Sequence, residues 1–484
     1  MVLPEAAEFE QVVLPHLDAA HNLARWLVGD ATLAEDVVQD AAVRALGYFG
    51  SYRGGDARAW LLRIVRNTAY GAVASRRRGM ATSLDAAAPG SVGFSAERLG
   101  RINGWMRRWV DSGRLPGVSV TVLRHGRVAY QECYGHADLG RGRRMAPDTV
   151  VRIYSMTKPL TSVALMMLYE QGLFQLDDPI SAALPAFADT RVWAGEERDS
   201  VPAERGITYR DLLTHTSGLT YGFMHATPVD AMYRDAGLDF QTSGKTLAEL
   251  VDLAASMPLL AQPGAAWNYS IATDVIGQLV AALSGQSFGG FLHDQVLQPL
   301  GMSDTAFHCP ADKQDRFAAN YARGGDGALV MVDDPASGIF AQPRSIESGG
   351  GGLVSTAGDY MRFCRMMLGG GVLNEERLLG RKTVALMTSN HLRGDMADMG
   401  QARFSESSYE GIGFGLGFSV MLDPARAQIV GTPGEYAWGG AASTAFWIDP
   451  VEDMAVLLLT QLYPSSTYPI RKELRVLTYA ALEG

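Results

Sequence analysis

The chain has 484 residues, 47% hydrophobic and 19% charged, which is enough for two or three domains and a large core. A net charge of −10 excludes nucleic-acid binding by the bulk field of the whole molecule. Cys133, Cys309 and Cys364 are odd in number, far apart and without a CxxC pair, which argues against a disulfide framework or zinc site and for a reducing compartment.

The opening stretch, "MVLPEAAEFEQVVLPHLDAAHN", carries acids where a secretory signal has a basic region, and no apolar run follows it. No stretch elsewhere approaches the ~20 apolar residues of a membrane span. The expectation is a soluble, cytoplasmic protein without membrane contact.

Residues 1–79 read as a small helical domain. Thr32 and Glu35 have the spacing of a capping box ahead of "LAEDVVQDAAVRALGYF". A second helix, "DARAWLLRIVRNTAYGAVASRRR", places Trp60, Leu61, Ile64 and Val65 on one face. Acids dominate up to Asp40, whereas Arg53, Arg58, Arg63, Arg66 and Arg76 to Arg78 face only Asp56, with Tyr52, Trp60 and Tyr70 among them. Such a helix can track phosphates and stack on bases. The plain alternative is a solvated basic face. The Gly/Ala/Ser/Pro-rich residues 80–95 then suit a linker.

From residue 96 a larger domain begins. "GVSVTVLRHGRVAYQECYG" reads as two strands turning at His125-Gly126. An apolar helix follows over 155–171, closed by Gly172. Residues 178–365 read mostly as helices, loops and Gly-rich turns. Strands return in "GFGLGFSVML", in "YAWGGAASTAFWI" and, after the turn "DPVED", in "MAVLLLTQL"; the helix "YPIRKELRVLTYAALEG" ends the chain. Strands at both ends with helices between predict one antiparallel sheet flanked by the first and last helices, with a helical insertion over about 178–365.

Chemistry concentrates in "YSMTKPLTSVALMMLY". With a helix opening at Ser155, Lys158 falls on the same face, one turn along. Ser155 sits at the positive end of the helix dipole, and Pro159 is tolerated in the first turn. A lysine kept out of water is a better proton acceptor, because burial penalises its charged form. This is a nucleophile with an attached base. In "WNYSIATDVIGQLV", Tyr269 heads another apolar helix, where its phenol can pass a proton to a leaving group. In "YAWGGAASTAFWI", Gly439 and Gly440 let the backbone pass close to a substrate, and the N–H of Ala441 would join that of Ser155 as an oxyanion hole.

Two resemblances follow from these stretches. "AEDVVQDAAVRAL" with "ARAWLLRIVRNTA…SRRR" resembles region 2 of extracytoplasmic-function sigma factors over about residues 8–79. That resemblance implies contact with RNA polymerase or promoter DNA. No helix-turn-helix follows residue 80, however, and Met80 opens a sequence able to begin a complete hydrolase, so a fusion or an over-extended gene start fits equally. Residues 93–484 resemble the serine β-lactamase and penicillin-binding superfamily, specifically family VIII carboxylesterases, which are similar to class C β-lactamases. The segments "LLTHTSGL" and "GGLVSTAGDYMRF" fit as structural parts.

This second resemblance implies an α/β fold of the β-lactamase type. It makes Ser155 the acylated nucleophile, Lys158 and Tyr269 its proton partners, and Trp438, Gly439 and Gly440 the substrate-binding strand. It calls for no metal or cofactor. Which of Lys158 and Tyr269 accepts the serine proton stays open. Trp438 stands where β-lactamases carry a lysine that holds the drug's carboxylate, and Ile271 stands where they carry an amide-binding asparagine. Both changes favour small neutral esters with short acyl groups. A β-lactamase or D-amino-acid peptidase is the alternative on the same fold.

Three features look catalytic and are read otherwise. "GQSFG" around Ser287 matches GxSxG but lacks the preceding strand that motif needs. His215 reads as a hydrogen-bonded structural histidine, and Asp177-Asp178-Pro179 as a turn.

Overall fold

The computed structural model describes residues 9, 12–28, 31–49, 54, 56–66, 68–69, 85–195, 199–400 and 408–483. The chain divides into two compact units, residues 1–83 and 84–484.

In the first unit, helices Leu17–Val28 and Ala31–Tyr48 pack through small residues at helical spacing. Ala20 and Ala24 belong to one, Ala34, Val37, Ala41 and Ala45 to the other, and all are buried with Leu61 and Val65. Methyl-sized contacts at i and i+4 let helices approach closely. Trp60 and Ile64, expected on the buried face, are only half-buried, while Arg58, Arg63 and Arg66 are exposed. The helix starts at Ala31, so Thr32 lies inside it and not at its cap, and the Thr32 side chain falls outside the described residues. Tyr52, Arg53, Tyr70 and Arg76 to Arg78 also fall outside them.

The second unit begins with a correction. Residues 85–95, assigned to the linker by composition, are packed: Val92 and Phe94 are buried. The Arg124 guanidinium donates to the carbonyls of Val92 (3.2 Å) and Gly93 (3.0 Å). Two apolar side chains in an otherwise small-residue stretch suffice to anchor it. Residues 80–84 lie outside the described set.

Helix α1 (Arg101–Asp111) buries Ile102, Trp105, Met106 and Trp109, the i, i+3, i+4, i+7 stripe of an amphipathic helix. Strands β1 (Gly117–Arg124) and β2 (Arg127–Asp138) form the expected hairpin. His125 (φ 51°) and Gly126 (φ 71°) give the left-handed pair that a two-residue turn needs. A short edge strand β3 (Arg143–Arg144) follows, then α2 (Thr157–Glu170), α3 (Tyr209–Leu213), α4 (Ala272–Ser284) and α5 (Ala357–Leu368). Strands β4 (Ile412–Phe414), β5 (Ser419–Met421), β6 (Tyr436–Gly439), β7 (Ala445–Asp449) and β8 (Met454–Thr460) lead to α6 (Ile470–Tyr479).

These strands make one antiparallel sheet in the order β4-β5-β6-β7-β8-β1-β2-β3. The early and late strands meet at its centre, where Val118 pairs with Thr460 and Arg124 with Met454. Both central strands are buried throughout, as expected when helices cover both faces. One face carries Val118, Val120, Val122, Val456 and Leu458 beneath α1 and α6. The other carries Ala455, Leu457 and Leu459 in the large core shared with α2, α4 and α5. The Trp105 and Trp109 indole N–H groups donate to Glu473 (2.7 and 2.8 Å), tying the first and last helices together.

Two late segments differ from the reading. "GFGLGFSVML" is two strands, because Gly417 at φ 99° reverses the chain between them. "YAWGGAASTAFWI" is also two strands, β6 and β7, joined by a turn at 440–444, so Ala441 lies in a turn and not in a strand. The middle region also contains short strands, Arg191–Trp193 with Ser200–Pro202 and Asn320–Arg323 with Leu329–Asp333.

Candidate active site

The chain enters the site from the buried pair Val151–Arg152 and turns at Tyr154, held at φ 42°. A left-handed backbone is costly for a side chain with a Cβ and needs its surroundings to hold it. Tyr154 has such support: Asn320 Nδ2 donates to its hydroxyl (3.2 Å), and Phe340 packs edge-on at 5.7 Å. Ser155 sits in the resulting 3-10 turn (Tyr154–Met156), immediately before α2 and not at its first residue. Helix α2 is buried on nearly every face, and the Lys158 side chain is only 2% exposed.

Lys158 Nζ lies 3.3 Å from Ser155 Oγ, 3.0 Å from the Tyr221 hydroxyl and 2.7 Å from the Gly350 carbonyl oxygen. From the far side, the Tyr269 hydroxyl donates to Ser155 Oγ at 2.6 Å. The same amine stands 4.6 Å from the Tyr269 ring centroid, within range of a cation–π contact. Nucleophile, amine and phenol therefore converge on one oxygen.

Tyr269 is wedged among aromatic rings: Trp438 at 5.6 Å, Tyr221 at 5.3 Å and His215 at 5.1 Å. His215 is buried, and its Nδ1 pairs with Ser270 Oγ (3.1 Å). Burial first, and the Lys158 charge second, hold its pKa well below the ordinary histidine value. It backs the tyrosine as a neutral structural ring. Burial likewise pushes the Tyr221 phenol well above its usual value, with Tyr269 and Asp274 adding to the rise.

The β6–β7 turn closes the other side. A Cβ on Gly440 would stand 2.3 Å from the Ile153 carbonyl oxygen, so only glycine lets this turn pass against the segment carrying Ser155. Arg471, on α6, donates from Nη2 to the carbonyls of Gly440 and Thr444 (both 2.8 Å) and clamps the turn. Ser155, Trp438, Gly439, Gly440 and Ala441 all line a cavity of about 960 Å³. Trp438 packs on Tyr269 and, at 5.3 Å, on Phe414; its indole N–H makes no hydrogen bond among the described residues. Ile271 is buried at the head of α4 and lines the same cavity.

Ser155, Tyr269, Trp438, Gly439, Gly440 and Ala441 thus line this cavity, and Lys158 stands behind them against Ser155 Oγ. Of the three features that look catalytic, His215 only backs Tyr269, at 5.1 Å, and the other two lie elsewhere in their interactions. Ser287 caps a short helix by accepting from Gly290 N (3.0 Å). Asp177 pairs with Arg210 (2.7 Å), and Asp178 accepts from Gln175 N (2.7 Å). Three participants escaped the sequence reading: Tyr221, which follows "LLTHTSGLT"; Gly350, in the glycine run after Ser348; and Asp274, five residues beyond Tyr269. Among the described residues no group of His, Cys, Asp and Glu could hold a metal ion. No single described helix is long and apolar enough to cross a membrane.

Comparison with known proteins agrees with this fold. Residues 12–79 match the model for Sigma-70 region 2. Esterase EstB of Burkholderia gladioli is 32% identical over 387 residues, 76% of this chain and 91% of EstB. Among solved structures, EstCE1, described as a hydrolase with promiscuous acyltransferase activity, superposes with a TM-score of 0.68 at 29% identity, covering 79% of this chain and 99% of its own. Simvastatin Synthase (LovD) from Aspergillus terreus gives 0.67 at 26% identity, covering 80% and 99%. Residues 102–480 match the beta-lactamase family model, and the chain belongs to the beta-lactamase family, among relatives that include esterases and acyltransferases.

Proposed function

We propose that the chain is a serine carboxylesterase that works through an acyl-enzyme on small-molecule esters with short acyl groups. The observation that carries this reading is the convergence of Lys158 Nζ and the Tyr269 hydroxyl on Ser155 Oγ at the cavity. Ser155 Oγ attacks the ester carbonyl carbon, and its proton passes to the Lys158–Tyr269 pair. The backbone N–H groups of Ser155 and Ala441 receive the developing oxyanion. The C–O bond to the alcohol breaks, and the pair returns the proton to the leaving alkoxide. Water, deprotonated by the same pair, then attacks the acyl-enzyme, releasing the acid and restoring the serine.

Ester preference over β-lactams rests on Trp438 and Ile271. A tryptophan and an isoleucine offer a substrate carboxylate no cation and a side-chain amide no partner. Hydrolysis of p-nitrophenyl butyrate much faster than nitrocefin, lost in Ser155→Ala, is the expected result. Efficient nitrocefin turnover would instead favour the β-lactamase alternative. The cavity volume and the EstCE1 description, which names a promiscuous acyltransferase activity, support acyl transfer to an alcohol as a second outcome of the same intermediate. It would appear as ester exchange when an alcohol is supplied.

The Sigma-70 region 2 match, with exposed Arg58, Arg63 and Arg66, supports a separate role for residues 12–79 in contacting RNA polymerase or promoter DNA. Retention of core RNA polymerase by the full chain at low salt is the expected result; no retention removes this role.

A further inference from the structure

The glycine run after Ser348 forms the seam between α2 and α4. From α2, Thr161 Oγ1 donates to the Gly349 carbonyl (3.0 Å) and Lys158 Nζ to the Gly350 carbonyl (2.7 Å). From α4, Asp274 faces the same residues: its Oδ1 accepts from Gly350 N–H (3.0 Å) and from the Ser348 hydroxyl (2.6 Å). A Cβ on Gly350 would lie 2.4 Å from Asp274 Oδ2 and 3.0 Å from the Tyr221 hydroxyl, so the backbone is pressed directly between them. Asp274 is 1% exposed, and its Oδ2 has no hydrogen-bond partner among the described residues.

A buried carboxylate with one oxygen unpaired is costly. Here it grips a single glycine, and the carbonyl of that glycine makes the shortest contact of Lys158 Nζ. We infer that Asp274 is a positioning residue: by pinning Gly350 it fixes the carbonyl that aims the Lys158 amine at Ser155. The inference rests on the hydrolase reading above. Among the described residues Nζ has three hydrogen-bond partners, and its contact with Ser155 Oγ, at 3.3 Å, is the longest of the three. If Gly350 shifted outward, the amine would follow its strongest partner away from the serine. A misplacement on the order of 1 Å costs about 10²-fold in rate.

The test compares Asp274→Ala and Asp274→Asn with wild type. Asparagine keeps an oxygen able to accept from Gly350 N–H and Ser348; alanine does not. Two readouts are taken: kcat and KM on p-nitrophenyl butyrate, and the rate at which a fluorophosphonate probe labels Ser155. Alanine should lower kcat about 10- to 100-fold, as for loss of an orienting partner. KM should change little, and labelling should slow in parallel. Asparagine should restore most of both. If the alanine protein does not fold, Ser348→Ala, which removes the other donor on the same oxygen, should lower kcat several-fold with KM unchanged. Unaltered kcat in a folded Asp274→Ala or Ser348→Ala protein, or asparagine as slow as alanine, overturns the inference. A wild type that labels at Ser155 but cleaves no ester counts against the esterase reading alone, because labelling still reports the positioning.

Discussion

The Tyr269 hydroxyl donates a 2.6 Å hydrogen bond to Ser155 Oγ across 114 residues of sequence, while Lys158, three residues from the serine, reaches the same oxygen at 3.3 Å. The closer contact comes from the more distant residue. Tyr269→Phe keeps the ring among Trp438, Tyr221 and His215 and deletes only the hydroxyl. We expect kcat to fall by about 10²-fold or more, the usual scale for losing a proton-transfer group, with thermal stability nearly unchanged. Lys158→Ala should lose at least as much. Ester turnover within a few-fold of wild type in either variant would remove that residue from the proton path.

Trp438→Lys places a cation on the cavity wall in the position now occupied by an unpaired indole. The ratio of kcat/KM for nitrocefin to that for p-nitrophenyl butyrate should rise, by about 10-fold or more if the new charge pairs with the carboxylate. An unchanged ratio contradicts the view that Trp438 sets the preference.

Gly440→Ala tests the closeness of the oxyanion turn. Its Cβ would stand 2.3 Å from a backbone oxygen, which cannot rotate away. The turn must move, carrying the Ala441 N–H with it. A kcat loss of about 10²-fold is expected, the scale of one lost oxyanion donor. Activity close to wild type would mean the turn has slack.

His215 gives a pH signature. Its folded-state pKa is held below the unfolded value, so the stability of the neutral ring is fully present above about pH 6.5 and is lost as pH falls below it. Asp359 acts oppositely: burial raises its carboxyl to about 6, so the native state takes up that proton first and gains stability as pH falls through 6 toward 3.8. The two slopes offset one another, so the measurement compares proteins. Between pH 7 and 5, His215→Gln should lose less stability than wild type, by at most about 1.4 kcal/mol per pH unit. Parallel denaturation curves across that range would show that the ring is not held neutral.

What the sequence made legible was local. Ser155 and Lys158 are related by helix geometry, and the His125-Gly126 turn by two backbone angles; both can be read from neighbours. Tyr221, Gly350 and Asp274 were not legible, because they meet Lys158 only after three separated segments pack against α2. A tyrosine in a loop and an aspartate inside a helix have no spacing that announces such a meeting. The two late strand runs were over-read for a related reason: the chain reverses at Gly417 and at 440–444 through small residues, without the charged or Pro-marked break that announces the turn after Asp449. Residues 85–95 misled in the opposite direction, since small residues suggested a linker, whereas Val92 and Phe94 are buried and anchor the segment.

The most direct measurement is ester hydrolysis by wild type, Ser155→Ala and Ser287→Ala, with the acyl-enzyme trapped and its site located by mass spectrometry. The account predicts that wild type and Ser287→Ala cleave p-nitrophenyl butyrate alike, that Ser155→Ala does not, and that the acyl group sits on Ser155. Full activity in Ser155→Ala, with loss in Ser287→Ala or acylation elsewhere, would contradict it.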